Sequence, residues 1–270
     1  MLGFIIVAAA VFVALFADVL VPYSPDAINL VAMTRPPAWS NGGSSANLLG
    51  TDVLGRDILA RILVGSRISL LVGVFSVAAA GFIGTIFGIV AGYYGSWVET
   101  VIMRVTDAFH AIPLTLFGMV VLAVVGPGMI TMIVVIGITT WPFYARMIRS
   151  EVLSLKNQEY VKAARTLGTS SVMTMLRHIL PNVMPSFIVV STLSVANSIL
   201  AEATLSFLGL GIQPPLVTWG IMLADGRNYI ATSWWISTFP GIALSTTVLG
   251  IMLLGNWLRD VLDPRNQGLG

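Results

Sequence analysis

Charged residues are sparse along this chain, and the long intervals between them predict its elements. Leu2–Ala17 is uncharged, and the apolar run continues past Asp18 to Val21, where Pro22 stops it. Ile68–Val98 carries no formal charge, with Gly92, Tyr93 and Tyr94 marking its end. Ala108–Ala145 is also without formal charge, and Gly126-Pro127-Gly128 divides it into two runs joined by a tight turn. Val183–Ala201 is a fifth run that reaches somewhat beyond Glu202, and the last lies within Pro240–Leu258, with Trp234, Trp235 and Trp257 as interfacial anchors. A membrane-crossing helix needs roughly 20 predominantly apolar residues. The pattern therefore predicts an all-α integral membrane protein with six transmembrane helices.

Three hydrophilic pieces separate these runs. Pro22–Arg67 is rich in Pro, Gly, Ser and Asn around Arg35–Asn47, and Arg146–Pro181 is strongly basic. Phe207–Ser233 contains Gly209, Gly211, Pro214, Pro215 and Gly226, which is too broken for another crossing and suits a re-entrant or surface-lying segment. The expected organisation is a first helix over 1–21, an extracytoplasmic segment over 22–67, a transmembrane domain over 68–260 containing a cytoplasmic loop at 150–182, and a tail over 261–270. The first helix has the length of a signal peptide. It lacks a basic n-region and an A-x-A-like site before Pro22, so it is expected to stay as an anchor.

Composition supports a lipid solvent. Of 270 residues, 56% are hydrophobic and 10% charged, with a mean hydropathy of +0.91. A soluble domain carries about 25% charged residues, and a disordered chain needs low hydrophobicity and high charge. The net charge of +2 is too small to argue for nucleic acid; what matters is where the charges sit. Six crossings put both termini on one side. Arg104, Arg146, Arg149, Lys156, Lys162, Arg165, Arg177, Arg259 and Arg265 fall on that side, against Arg35, Arg56, Arg61, Arg67 and Arg227 on the other. The positive-inside rule then places both termini in the cytoplasm.

The chemistry excluded is as informative. There is no cysteine, hence no disulfide, thiolate nucleophile, Cys-ligated zinc or iron–sulfur cluster. His110 and His178 are far apart and outside any H-E-x-x-H pattern, so no metal site is expected. The only lysines, Lys156 and Lys162, do not follow a Walker A spacing, and no G-x-S-x-G elbow occurs. No catalytic residue is assigned, and the chain is not expected to hydrolyse ATP itself.

The cytoplasmic piece carries the strongest pattern. Glu159–Gly168 reads as a helix closed by its glycine, followed by a short second helix over Thr169–Arg177 and by Pro181, which starts the next span. Small Ala163 and Ala164 permit close approach of another backbone, and Gly168 allows a sharp turn. Such a helix–turn–helix outside the membrane is a knob suited to a groove on a partner.

This segment resembles the EAA loop of ABC importer permeases, with Ala163, Ala164, Gly168, Leu180 and Pro181 at the matching spacings. Lys162 stands in place of the usual Glu, and His178 where Ile is usual. Leu49–Asp57 with Gly65–Leu70, Leu200–Gly211 with Pro214-Pro215, and Leu258–Arg265 resemble further blocks of the dipeptide, oligopeptide and nickel importers, in their second, C-type permease. The resemblance implies a type I ABC importer permease architecture and a permease heterodimer. It also implies two cytoplasmic ATPase subunits that hold ATP and Mg, and an extracytoplasmic solute-binding protein. The implied function is to form half of the path for di- or oligopeptides or a related small solute across a bacterial cytoplasmic (inner) membrane. The implied coupling residues are Glu159, Lys162, Ala163, Ala164, Arg165, Gly168, Thr169, His178, Leu180 and Pro181. Lys162, Arg165 and Arg177 would face acidic groups of the ATPase or lipid phosphates. The outer block of Gly50, Thr51, Asp52, Gly55, Arg56 and Asp57 would shape the outer mouth or a docking face.

Within the spans, Asp107, His110 and Glu202 are the candidates for the translocation path. Asp107 follows Arg104 by three residues on one helix face and is expected to pair with it. His110 is expected to be hydrogen-bonded inside the bundle. Glu202 has no basic neighbour in sequence and is expected to pair with a partner subunit or to meet a cationic group of a substrate. Pro113 and Pro142 are expected to kink their helices. Gly81, Gly84, Gly88 and Gly92 recur at spacings of three and four, for packing against the partner permease or a neighbouring span. A self-sufficient secondary transporter or channel, the competing class, calls for inverted repeats and an intramembrane ion site; no convincing repeat is present, and the cytoplasmic knob would have no purpose.

Overall fold

In the computed structural model, residues 1–21 and 23–262 are described. Pro22, the expected tail beyond Leu262 and the Asp263-Pro264-Arg265 end of the last sequence block lie outside the described residues. Among the described residues the chain is helical, with an isolated bridge between Thr51 and Asp57 and no sheet. Five helical runs are long and apolar enough to cross a membrane: α1 (Leu2–Leu20), α2 (Ile58–Tyr94), α5 (Met129–Leu155), a continuous run over Ser171–Leu210, and α10 (Trp235–Leu262). Phe4, Phe12, Phe82 and Val124 are exposed on the bundle, as lipid-facing side chains should be.

The third crossing is bent where Pro113 is expected to kink it. It is a broken pair, α3 (Ser96–His110) and α4 (Leu114–Val125), bent by 80° across Ala111–Pro113. Pro113 has no N–H to donate and forces Ile112 away from helical geometry. The 12 residues of α4 reach only about 18 Å, short of a hydrocarbon core about 30 Å thick. The tight turn after it forms as predicted, with Gly126 at φ +98° ending α4 and Gly128 leading into α5. Helix α5 then runs unbroken through Pro142.

Helix α2 begins ten residues before the expected Ile68. Asp57 caps it, its carboxylate accepting from the Ala60 N–H at 2.7 Å. Arg61 and Arg67 interrupt the hydropathy but not the helix, because both are neutralised. Arg61 pairs with Asp52 and Asp225. Arg67 donates to the Ala14 carbonyl at 2.9 Å and to Asp18 at 3.0 Å, tying α2 to α1. At 37 residues, α2 is about 56 Å long. It therefore crosses the membrane and projects beyond it.

The glycine series packs on neighbouring spans of the same chain. A Cβ at Gly84 would stand 2.4 Å from the Tyr144 Cβ and 2.6 Å from the Trp141 carbonyl of α5, and one at Gly88 would stand 2.8 Å from the Ala145 carbonyl. Gly92 faces Val152, and Gly81 faces Phe187 and Tyr144. Bare backbone here lets α2 and α5 approach more closely than side chains would permit.

At the end of the bundle expected to be cytoplasmic, opposite the end expected to be the outer one, α6 (Glu159–Thr166) is followed by α7 (Ser171–Thr174). The expected second helix is not separate. It continues through one wide π turn, Met175–Ile179, into α8 (Leu180–Leu205), with Pro181 in the first turn of α8. Ile148 and Val152 of α5 bury this junction together with Met175, Ile179 and Val183. At the outer end α8 passes through a second π turn, Ser206–Leu210, broken at Gly209 (φ +83°), and an irregular stretch leads to α9 (Trp219–Gly226). This is the stretch over Phe207–Ser233 expected to be re-entrant or surface-lying, and Ile212, Val217, Trp219 and Met222 within it are buried. Trp235 is no interfacial anchor: it is buried, and its Nε1–H donates to the Thr51 carbonyl at 3.2 Å. Trp234 and Trp257 remain exposed.

Gly84→Ala is expected to lower the apparent melting temperature of the detergent-solubilised protein, since overpacking typically costs about 1–3 kcal/mol. Gly241→Ala, whose Cβ would meet only Leu223 at 3.5 Å, is expected to leave it unchanged. An equal drop for both variants in a thermal size-exclusion assay would refute close packing as the reason for the glycines.

Candidate functional site

Two regions gather the residues singled out by the sequence, one at each end of the bundle. At the expected cytoplasmic end, α6 buries Val161 and Ala164 and exposes Glu159, Lys162, Ala163 and Arg165. The helix ends in a Schellman motif. The Thr169 N–H bonds to the Ala164 carbonyl at 3.1 Å and the Gly168 N–H to the Arg165 carbonyl at 3.0 Å. Gly168 sits at φ +87° with open space where a Cβ would be, so its requirement is conformational and not one of room. Ser170 then caps α7 by accepting from the Met173 N–H.

The turn lifts Leu167 to 87% exposure, beside the exposed side chains of Tyr160, Val172 and Leu176. The Arg165 guanidinium lies over the Tyr93 ring, 5.6 Å from its centre, which fastens the knob to the inner end of α2. His178 is half-buried with its ring 6.4 Å from that of Tyr160; Leu180 is half-buried and Pro181 exposed. Lys156 Nζ donates to the Gly92 carbonyl at 2.8 Å, so the ends of α5 and α2 are joined just above the knob.

At the outer end the Gly50–Asp57 block is a folded clasp. Gly50 and Gly55 have φ of +83° and +73°, and a Cβ at Gly55 would strike the Asn29 carbonyl at 1.8 Å. Thr51 is buried, donating to the Ala32 carbonyl and accepting from the Arg35 N–H at 2.9 Å. Asp52 accepts from the Leu54 and Arg56 N–H groups at 2.8 and 3.0 Å and pairs with Arg56 Nε at 2.7 Å and with Arg61. Asp57, besides capping α2, accepts from Asn47 Nδ2 at 2.8 Å. Asp225 of α9 closes the cluster, 3.3 Å from Arg56 and 3.4 Å from Arg61. Two cations and two anions are thus paired where Asp52 and Arg61 are almost wholly buried. Beside them lies a cavity of about 360 Å³ walled by Arg56, Asp225, Ser206 and the 209–217 stretch. Asp225 was not singled out by the sequence; the only signal for the cluster was the i, i+4 spacing of Asp52 and Arg56.

Residues 84–268 match the family described as binding-protein-dependent transport system inner membrane components. The chain belongs to that family. It is 41% identical over 263 residues to the di/tripeptide transport system permease protein DppC of Pseudomonas aeruginosa, covering 97% of this chain and 87% of the relative. To the dipeptide transport system permease protein DppC of Escherichia coli it is 42% identical, covering 97% and 88%. To the glutathione transport system permease protein GsiD of Pectobacterium atrosepticum it is 42% identical, covering 94% and 82%. The fold is similar to that of the MetNI methionine ABC transporter in inward-facing conformations, with a TM-score of 0.56 at 17% identity over 72% of this chain and 94% of that one. The protein is thus a multi-pass ABC importer permease, of type I architecture, as the resemblance implied.

The three path candidates have no common partner. Asp107 is exposed and pairs with Arg146 of α5 at 2.9 Å instead of with Arg104 on its own helix. Glu99 likewise pairs with Arg149, so two ion pairs lay α3 along α5. His110 is exposed in the last turn of α3, not enclosed in the bundle. Among the described residues no group of His, Cys, Asp or Glu is arranged to hold a metal. Glu202 is fully buried, and its Oε1 accepts from the Ser206 hydroxyl at 2.7 Å and the Thr218 hydroxyl at 2.8 Å.

Arg61→Met is expected to lower stability by about 3 kcal/mol, because it strands buried carboxylate charge. Asp107→Asn, at an exposed pair, should change stability by no more than about 1 kcal/mol. Heating both variants in detergent and recording the folded fraction checks the order; the reverse order would contradict the burial of the outer cluster.

Proposed function

We propose that this chain forms half of the translocation path for short peptides, in a heterodimer with a second permease, and is driven by cytoplasmic ABC ATPase subunits that hold ATP and Mg. An extracytoplasmic solute-binding protein delivers the substrate, and both termini lie in the cytoplasm of a bacterial inner membrane. The relatives' printed substrates, dipeptides, di- and tripeptides and glutathione, are all short peptides, and they support this substrate class. The basic residues of the 150–182 loop support the orientation.

The observation that carries the coupling assignment is the knob. A Schellman turn outside the spans presents Leu167, Tyr160, Val172 and Leu176 to water together with Lys162 and Arg165. Exposed apolar side chains rimmed by charge mark a surface that another protein covers. Movement of a docked ATPase would reach α8 without a break, because α7, the π turn and α8 form one continuous helical run. The pull on Arg165 would also reach α2 through Tyr93. ATP shifts such a two-state permease pair only by favouring one state over the other.

Gly168→Asp is expected to abolish uptake of a labelled dipeptide while leaving the chain in the membrane. Asp at Gly168 adds a negative charge to an exposed turn in the left-handed region, on the surface that the partner would cover. Gly168→Asn, a residue that tolerates that region, should retain more uptake and more co-purified ATPase. Full uptake by the Asp variant would sink the coupling assignment.

A further inference from the structure

Glu202 is an ionisable residue near the outer end of a spanning helix, completely buried, with one carboxylate oxygen engaged twice and the other without a hydrogen-bond partner among the described residues. A side chain enclosed within its own chain reaches neither a substrate nor a neighbouring subunit. What it does reach is the next element. Ser206 lies one turn further along the same helical run, whereas Thr218 is the N-cap of α9, its hydroxyl accepting from the Ile221 N–H at 3.2 Å while donating to Glu202. Glu202 therefore joins α8 to the first turn of α9 across the whole irregular 206–218 stretch.

The surroundings are built for that junction. A Cβ on Gly220 would stand 2.7 Å from the Ala203 Cα, and one on Gly211 would stand 2.2 Å from the Ser206 hydroxyl, so both glycines are required by close approach to the Glu202–Ser206 turn. The Trp219 N–H donates to Ser69 Oγ at 3.2 Å and its indole N–H to the Ile62 carbonyl at 3.1 Å, which fixes the same end of α9 to α2. The opposite end of α9, about 10 Å away, is held by Asp225 in the Arg56–Arg61 cluster. Helix α9 thus bridges the outer ends of α2 and α8 and borders the outer cavity through Ile221, Ala224 and Asp225.

We infer that Glu202 is a positioning residue of the outer cap. By accepting two hydroxyls on Oε1 it locks α9 to α8, so that the wall of the outer cavity moves with α8 as one body. Its work is that of a hydrogen-bond acceptor and not of a charge that meets substrate or a partner subunit. A path-lining carboxylate would need its charge; a latch needs only the oxygen. Glutamine keeps that oxygen and methionine does not.

The absence of native cysteine makes the test clean. Spin labels attached to cysteines introduced at exposed Thr204 on α8 and Asn228 beyond α9 report the distance across the latch in the full chain, reconstituted in nanodiscs with the proteins that co-purify with it. Dipeptide uptake into proteoliposomes is measured in parallel, and that arm alone rests on the proposed function. Glu202→Gln is expected to keep the wild-type distance distribution and uptake within about twofold. Glu202→Met is expected to broaden the distribution and reduce uptake about tenfold, since leaving a buried hydroxyl without its acceptor is worth about a factor of ten. Should Glu202→Met fold poorly, Thr218→Val removes one arm of the latch and should broaden the same distribution, with Thr218→Ser restoring it. An unchanged distribution in both Glu202→Met and Thr218→Val overturns the inference. So does loss of uptake in Glu202→Gln with the distribution intact, which would assign the residue to charge recognition in the path. If the wild type imports no peptide, the substrate reading fails while the distances still decide the latch.

Discussion

The close contact between α2 and α5 is the constraint on which the other elements depend. In lipid there is no hydrophobic gain from bringing two apolar helices together, so association comes from packing and from internally satisfied polar groups. Gly84, Gly88 and Gly92 give α2 a face of bare backbone, and α5 fills it with Tyr144, Ala145, Ile148 and Val152. With that seam fixed, α2 becomes the post to which the remaining parts are fastened. Its outer end holds the clasp through Asp57 and Arg61, its flank holds α1 through Arg67 and α9 through Ser69 and the Ile62 carbonyl, and its inner end holds the knob through Tyr93.

The same arrangement joins the two ends of the bundle. Helix α7, the π turn and α8 are one continuous helical run, and α8 ends at the Glu202–Ser206 turn against α9. Each end combines irregular backbone with extensive polar pairing: a Schellman turn at one, and a cluster of two arginines and two aspartates at the other. Irregular backbone at or near a membrane is tolerable only where its polar groups find partners within the protein. The wide π turn at Met175–Ile179 and the bend at Pro113 each lie close to a proline that removes an N–H from the ladder, whereas the second π turn, Ser206–Leu210, is broken at Gly209.

Much of the knob was legible because its determinants are local. A glycine at C′, small residues on one helix face and a proline in the first turn of the next span act over a few residues, and Gly168 at φ +87° does what its place in the pattern required. The outer block was legible as a block and not as a structure. Asp52 and Arg56 are close in sequence, but Asp225, which completes their cluster, lies on α9 and can be found only in three dimensions. Asp107 shows the opposite failure: the local partner Arg104 was in the right place along the chain, yet tertiary packing offered Arg146.

The sequence by itself determined the solvent, the near-complete list of spans and the family, since hydropathy, charge sparsity and short motifs are properties of consecutive residues. Tertiary structure decided where helices begin and bend and what each buried charge does. Arg61 and Arg67 look like interruptions in a hydropathy profile, but ion pairs and carbonyl contacts let α2 run through them. Whether the glycine face met another subunit or a neighbouring span, and whether Glu202 faced a path or a neighbouring helix, depended on which surfaces the fold brought together. Periodicity says that a face exists; only packing says what covers it.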